Sequence, residues 1–100
     1  MTIEDIRDEM SQKTRILEPL GKTLIFHFDD ESMLIDGTGE KNVVSLVSGE
    51  TVEADCSVRM SMETFLKLRR REIKPFMAVA SGKIKVEGDL SIAAKLKRLL

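Results

Sequence analysis

The chain has 100 residues, of which 42% are hydrophobic and 33% charged, a balance typical of one globular domain with a modest core. We therefore expect residues 1–100 to form a single domain. Its apolar runs are too short to span a bilayer, which excludes a membrane-spanning helix. The lone Cys56 cannot form an internal disulfide, and the acidic segment Met1 to Met10 lacks the features of a secretory signal. We expect a cytoplasmic protein.

The net charge of −1 conceals an uneven distribution of charge along the chain. Residues 1–56 carry 5 Lys/Arg and 13 Asp/Glu, a net charge of −8. Residues 57–100 carry 11 Lys/Arg and 4 Asp/Glu, a net charge of +7. This division predicts attraction between the two halves, with docking on an anionic membrane or on a second copy, as a homodimer, as the alternatives. We do not expect nucleic acid binding, because the basic residues lack interleaved aromatic residues and the chain has no Trp or Tyr.

The first half of the chain predicts one helix followed by three strands. Thr2 and Asp5 have the spacing of a capping box, and Pro19 ends the helical pattern that follows them. From Lys22 the hydrophobic period changes to two, so that Leu24, Phe26 and Phe28 face one way and Ile25 and His27 the other. Two further strands are predicted at 33–35 and 42–47. Such short intervals favour an antiparallel meander.

The second half predicts two strands and three helices. The elements are a strand at 54–60, a helix at 61–68, a short helix at 76–80, a strand at 83–87 and a last helix from residue 90. Ser61 is a typical N-cap residue, Pro75 suits the start of the short helix, and Gly82 suits its end.

The resulting order, α-β-β-β-β-α-α-β-α, predicts an α+β fold in which helices cover one face of a mainly antiparallel five-stranded sheet. Periodicity directs six apolar residues into the space between the sheet and the helices. These are Ile6, Met10, Phe26, Phe28, Val58 and Met60. The sequence does not distinguish a filled core from a ligand cavity at these positions.

No pattern in the chain predicts catalytic residues, a metal site or a cofactor. His27 has no acid and nucleophile placed near it by local spacing, and Cys56 alternates with Val58 as a small buried residue with an inert thiol would. The acids at 29–31 are typical of a solvated turn. We therefore expect a protein that is not an enzyme, and a hydrolase or thioesterase ranks last among the alternatives.

Several short motifs follow one another from Ala54 to Leu100. They are Ala54-Asp55-Cys56, the helix with Phe65, Pro75 before an apolar turn, the segment from Gly82 to Asp89, and Ala93-Ala94-Lys95-Leu96. In this order and spacing the segment resembles the sterol carrier protein 2 family, and Gly21 to Phe28 resembles the first strand of that family. The resemblance implies a lipid-binding module whose apolar ligand lies in a tunnel between sheet and helices, with the last helix near its mouth.

The resemblance also implies wall residues for the tunnel, position by position. These are Phe65, Phe76, Met77, Val79, Ile84, Val86, Ile92 and Leu96. The implied function is non-enzymatic binding and transfer of a fatty acid, acyl-CoA, isoprenoid or sterol-like lipid. The basic run Arg69, Arg70 and Arg71 would dock on an anionic membrane, although relatives tend to have glycine at the position of Arg71.

The alternative is a scaffold or dimerisation module that lacks the cavity and assists an enzyme, for example in lipid or quinone metabolism. A carrier should enclose a continuous apolar cavity of several hundred cubic ångströms, whereas a scaffold should be packed to ordinary density. An exposed apolar patch would favour the scaffold.

Overall fold

A computed structural model of the chain describes residues 1–48, 52–95 and 98. Its elements follow the predicted order and are α1 (Ile3–Arg15), β1 (Thr23–Phe28), β2 (Glu31–Asp36), β3 (Val43–Val47), β4 (Cys56–Met60), α2 (Met62–Arg69), α3 (Pro75–Ala80), β5 (Lys85–Gly88) and α4 (Leu90–Ala93). The α+β fold class is confirmed. The last strand begins two residues later than the alternating pattern at 83–87 predicts, because Lys83 and Ile84 still bond to the end of α3.

Local sequence explains where the helices begin. Thr2 and Asp5 form the predicted capping box: the Thr2 hydroxyl accepts from the Asp5 N–H at 3.2 Å and the Asp5 carboxylate accepts from the Thr2 N–H at 2.9 Å. Ser61 caps α2 and Asp89 caps α4 in the same way, each accepting from a backbone N–H of the first turn. The helix α3 begins at Pro75 without a side-chain cap.

The five strands form one sheet in the order β3-β2-β1-β4-β5. The pairs β1–β2, β2–β3 and β4–β5 are antiparallel, so the predicted meander and the mainly antiparallel sheet are confirmed. The central pair, β1 and β4, is parallel, with Phe26 opposite Val58. The sheet is therefore mixed, a detail that periodicity cannot supply because it does not specify the direction of a neighbouring strand.

The core lies between the inner face of the sheet and the helices. It includes the inward residues of β1, β2 and β4 together with residues of α1, α2, α3 and α4: Ile3, Ile6, Met10, Leu20, Leu24, Phe26, Phe28, Met33, Ile35, Cys56, Val58, Met60, Phe65, Leu68, Ala78, Ile84 and Ile92. Ile25 faces the other way, as predicted, yet it is also buried, between its register partners Leu34 and Ser57.

Asn42 ties the end of α1 to the residues before β3. Its side-chain oxygen accepts from the Leu20 N–H at 2.9 Å, and its amide nitrogen donates to the carbonyls of Thr14 and Glu18 at 3.2 and 3.1 Å. From the other end of the chain, Lys95 donates to the Leu20 carbonyl at 3.1 Å. Leu20 thus has both of its backbone polar groups bound by side chains distant in sequence.

Candidate ligand-binding site

Most of the predicted tunnel residues lie together in the core. All six that periodicity directed inward are buried there, and so are three of those implied by the resemblance, Phe65, Ile84 and Ile92. Val86 is partly buried and packs against the same cluster. Leu96 lies outside the described residues. The fold therefore gathers these side chains into one apolar interior, and their role as ligand contacts stays a prediction.

Three aromatic rings occupy part of this interior. Phe26 and Phe28 stack with their ring centroids 5.7 Å apart, and Phe65 of α2 meets Phe28 edge-on at 4.9 Å. Both separations fall in the range that is favourable for aromatic pairs. The rings join β1 to α2 across the region where the resemblance implies a ligand.

The helix α3 presents its large apolar residues to solvent. Phe76, Met77 and Val79 are exposed to 80%, 59% and 47%, whereas the small Ala78 is fully buried. The Ala78 carbonyl also accepts from the N–H groups of Lys83 and Ile84, at 2.9 and 3.2 Å, which ties the end of α3 to the segment before β5. In this structure the three side chains therefore face solvent and not an interior wall, and their role as ligand contacts stays a prediction.

Four of the clefts on the surface of the described residues have volumes of about 90, 240, 260 and 210 Å³. Each is smaller than the roughly 300–1,000 Å³ of pockets that enclose a whole small-molecule ligand. Met60 is the one predicted wall residue that lines any of these four clefts. It contributes to the cleft of about 240 Å³ formed by Asp29, Arg59, Met60, Ser61, Gly82, Lys83 and Lys85, which we call the basic cleft.

The three arginines predicted to dock on membranes have different surroundings. Arg69 holds both carboxylate oxygens of Glu9, at 2.7 and 3.0 Å, and these bonds lower the pKa of Glu9. Arg70 forms an ion pair with Glu72. Arg71 is exposed and has no carboxylate within 4.0 Å in the part of the chain that the structure describes. Two of the three charges are therefore already neutralised by neighbours.

His27 and Cys56 lie in environments that offer no catalytic constellation. His27 is hydrogen-bonded to Ser32 at 2.8 Å, but Arg59, a cation rather than a carboxylate, faces it across the sheet. Burial and, to a smaller extent, the Arg59 charge lower the pKa of His27. Cys56 is buried, as predicted, and burial raises the pKa of its thiol, which disfavours a reactive thiolate.

Two kinds of feature are absent from the described residues, a metal-binding cluster and a membrane-spanning helix. Within the ranges 1–48 and 52–95 and at residue 98, no group of three or more His, Cys, Asp or Glu side chains could hold a metal ion. Within the same residues, no helix is long and apolar enough to span a bilayer.

Comparison with known proteins shows which of them this chain resembles. It is 40% identical over 48 residues to hydroxysteroid dehydrogenase-like protein 2 of Bos taurus, a match that covers 48% of this chain and 12% of that protein. The chain thus spans a small part of the length of that curated relative.

Several solved structures share the fold, among them two from Aedes aegypti. Sterol carrier protein 2 like 2 from Aedes aegypti matches with a TM-score of 0.77 and 21% identity, covering 98% of this chain and 95% of that one. The solution structure of palmitated SCP2L2 from Aedes aegypti matches with a TM-score of 0.70 and 24% identity, covering 96% of this chain and 91% of that one. The model of the SCP-2 sterol transfer family matches residues 3–100, so the chain belongs to this family, which supports lipid binding and transfer as its general class of function.

Proposed function

We propose that the chain binds one hydrophobic lipid without covalent chemistry and passes it to a membrane or an enzyme, and that α3 is the element that meets the ligand. The observation that carries this proposal is the exposure of Phe76, Met77 and Val79, three residues that the resemblance assigns to the tunnel wall. Burying a large apolar side chain contributes about 1.5–3 kcal/mol, so a bound lipid that covered this face would gain substantial free energy. We place this activity in the cytoplasm.

A flexible apolar chain is the ligand that we rank first. The contacting rings of Phe26, Phe28 and Phe65 occupy part of the interior, and a thin acyl or isoprenoid chain would displace fewer of these contacts than a rigid sterol. The palmitated form of the mosquito relative supports a fatty acyl chain, free or as acyl-CoA. In this proposal, the buried predicted residues contact the ligand only after α3 has moved outward.

A charged substitution on α3 tests the proposal, because the exposed position of Met77 lets the variant fold. We expect Met77→Glu to weaken the binding of a fluorescent fatty acid by at least about tenfold, because the Glu carboxylate would have to be desolvated against the ligand. Ile16→Glu is the matched control, because Ile16 is equally apolar and 86% exposed but lies at the end of α1. Circular dichroism checks that both variants are folded.

The outcomes of this experiment separate two parts of the proposal. If Met77→Glu binds the fatty acid as the wild type does, α3 is not the binding element. If the wild type, purified and delipidated, binds neither fatty acid nor isoprenoid at micromolar concentration, lipid binding itself is rejected.

Delivery to an anionic membrane is a separate step of the proposal. Arg71 is the one member of the predicted docking run without a carboxylate neighbour among the described residues, and a basic side chain near such a membrane contributes about 1 kcal/mol. We expect replacement of Arg69, Arg70 and Arg71 by Gln to weaken sedimentation with anionic vesicles at low salt. Unchanged sedimentation across a range of salt concentrations would remove these arginines from the docking step.

A second candidate function is that of a scaffold or dimerisation module beside an enzyme. The exposed apolar face of α3 favours it, because an exposed patch suits a protein partner or a second copy. The relation to one part of a longer dehydrogenase-like protein also supports an accessory role. Analytical ultracentrifugation decides between monomer and dimer: a dimer that Met77→Glu dissociates, in a protein that binds no lipid, would favour this candidate.

A further inference from the structure

Three basic residues meet at one edge of the sheet without carboxylate partners. Arg59 projects from β4, Lys85 projects from β5, and Lys83 lies between α3 and β5; all three are exposed and line the basic cleft. Among the described residues, none of the three has a carboxylate oxygen within 4.0 Å, whereas Arg69, Arg70 and Lys67 each do. This cleft therefore concentrates positive charge that the described part of the protein does not neutralise at short range.

The strand register makes this concentration of charge unusual. Arg59 and Lys85 are directly opposite partners in the antiparallel pair of β4 and β5, and His27 is the partner of Arg59 on the parallel side. Like charges directly opposite each other destabilise a strand pair. A bound anion would convert this repulsion into attraction, because each cation would then face a negative group.

The size and the other lining residues of the basic cleft bear on which anion fits. The cleft has a volume of about 240 Å³, too small for a complete ligand of ordinary size but suited to a headgroup. Its lining includes Met60, which is buried in the apolar core at the end of β4. The carboxylate of Asp29 also lines the cleft and accepts from the Met62 N–H at 3.1 Å, which occupies one of its oxygens.

From this arrangement we propose that the basic cleft binds a phosphate or diphosphate group. The contact between the cleft and Met60 favours the phosphate of an amphipathic molecule, whose chain would enter the apolar interior beside this side chain. This assignment of the lipid rests on the function proposed above, whereas the anion site rests on Arg59, Lys83 and Lys85 alone. Free inorganic phosphate or pyrophosphate is the alternative ligand, because it carries the same anionic group without an apolar chain.

The test compares three compounds that separate the charge from the chain: pyrophosphate, dodecyl phosphate and dodecanol. We expect pyrophosphate to shift the amide NMR signals of Arg59, Lys83 and Lys85, and dodecyl phosphate to bind more tightly than either of the other compounds. The double variant Arg59→Gln/Lys85→Gln should weaken dodecyl phosphate binding about tenfold, because it removes two of the three cations that would face the phosphate. Dodecanol should bind the wild type and this variant equally.

A matched control is available on the same protein. Arg15 and Lys41 line a second cleft of about 260 Å³, so Arg15→Gln/Lys41→Gln removes the same two charges elsewhere. We expect this control to bind dodecyl phosphate within twofold of the wild type. Equal weakening in both double variants would show an effect of net charge alone and would overturn the proposal, as would pyrophosphate shifts confined to other residues.

The remaining outcomes separate this inference from the lipid function. If dodecanol binds but the Arg59→Gln/Lys85→Gln variant keeps the full affinity for dodecyl phosphate, the phosphate site is wrong and lipid binding stands. If pyrophosphate shifts these amides while dodecanol binds to no form of the protein, the site takes free phosphate and the lipid function is wrong. If the variant loses only its association with anionic vesicles, these residues contact a membrane surface and the headgroup site is overturned.

Discussion

The consecutive helices α2 and α3 end in the same backbone motif but make opposite use of their apolar residues. In α2, Phe65 and Leu68 are buried, and Phe65 packs on Phe28. In α3, Phe76 and Met77 are exposed and the helix contacts the core mainly through the methyl group of Ala78. An apolar helix is therefore not necessarily a core helix, and the exposed apolar face of α3 is better explained by a function outside the core.

The two helices also differ in how firmly they are attached. Ser61 caps the start of α2, and Arg69 near its end bonds to Glu9 of α1. The start of α3 has no side-chain cap, and α3 has no charged side chain in its first or last turn. We therefore expect α3 to be easier to displace from the core than α2.

The largest expected effect comes from truncating the aromatic residue of each helix. Phe65→Ala should lower the free energy of unfolding by about 3–5 kcal/mol, because it leaves a cavity beside Phe28. Phe76→Ala should change it by less than about 0.5 kcal/mol, because its side chain is exposed. Urea denaturation measures both, with Phe65→Leu as a milder variant if Phe65→Ala does not fold. Equal losses at the two positions would remove the distinction between the helices.

A smaller effect is expected at the two helix ends. Both ends have the hydrogen bonds of a Schellman motif. At the end of α2, the Arg71 N–H donates to the Leu68 carbonyl and the Glu72 N–H to the Lys67 carbonyl. At the end of α3, the Gly82 N–H donates to the Val79 carbonyl and the Lys83 N–H to the Ala78 carbonyl. The left-handed residue is Arg71 in α2, at φ 60°, and Gly82 in α3, at φ 81°. Because side chains are disfavoured there, Arg71→Gly should raise the unfolding free energy by about 0.5–1 kcal/mol and Gly82→Ala lower it by about 1 kcal/mol.

Thermal or urea unfolding measures the change in unfolding free energy in Arg71→Gly and in Gly82→Ala. A Cβ at Gly82 would meet no atom within 4 Å, so any loss in Gly82→Ala reports the backbone conformation alone. Destabilisation by Arg71→Gly would mean that the arginine side chain makes a contribution larger than the strain at its backbone.

The smallest expected effect concerns the attachment of α2 to α1. The bonds from Arg69 lower the pKa of Glu9 below its ordinary value of 4.5, so the folded state binds this proton less readily than the unfolded state does. The resulting stability is present above pH 4.5 and is lost as the pH falls through the folded pKa. Since about a third of each side chain is exposed, we expect only about 0.5 kcal/mol.

Urea denaturation between pH 7 and pH 3 measures this effect in Arg69→Gln. The variant should be less stable than the wild type at pH 7, and the difference should shrink as Glu9 becomes protonated. Lys67→Gln, which removes an exposed pair with Glu63 within α2, is the control for loss of one positive charge. A difference that is constant across this pH range would mean that the pair contributes nothing through Glu9.

The sequence was sufficient to predict the elements, and local chemistry explains why. The capping residues Thr2 and Ser61 act on backbone groups within a few residues, so their patterns are complete in one dimension. The orientation of α3 was not predictable from such patterns, because Phe76 and Ala78 are both apolar and only the tertiary position of the helix decides which is buried. The basic cleft was missed for a similar reason, since Arg59 and Lys85 become neighbours only through the strand register.

The resemblance supplied the family but assumed one conformation of its binding region. Periodicity directed a different set of residues, Phe26 and Phe28 among them, into the interior. Neither source could indicate whether the rings of Phe26, Phe28 and Phe65 contact one another or separate around a ligand. That choice depends on the balance between packing energy and ligand contacts, which no spacing of residues encodes.

The two side chains that hold Leu20 couple the beginning and the end of the chain. The Asn42 side chain accepts from the Leu20 N–H, and the side chain of Lys95, which lies 75 residues after Leu20, donates to the Leu20 carbonyl. Any movement that withdraws Lys95 leaves this carbonyl without that partner and loosens the segment that follows α1. If the lipid binding proposed above displaces Lys95, a fluorophore attached near the exposed Ile16 is expected to report it without a label on the ligand itself.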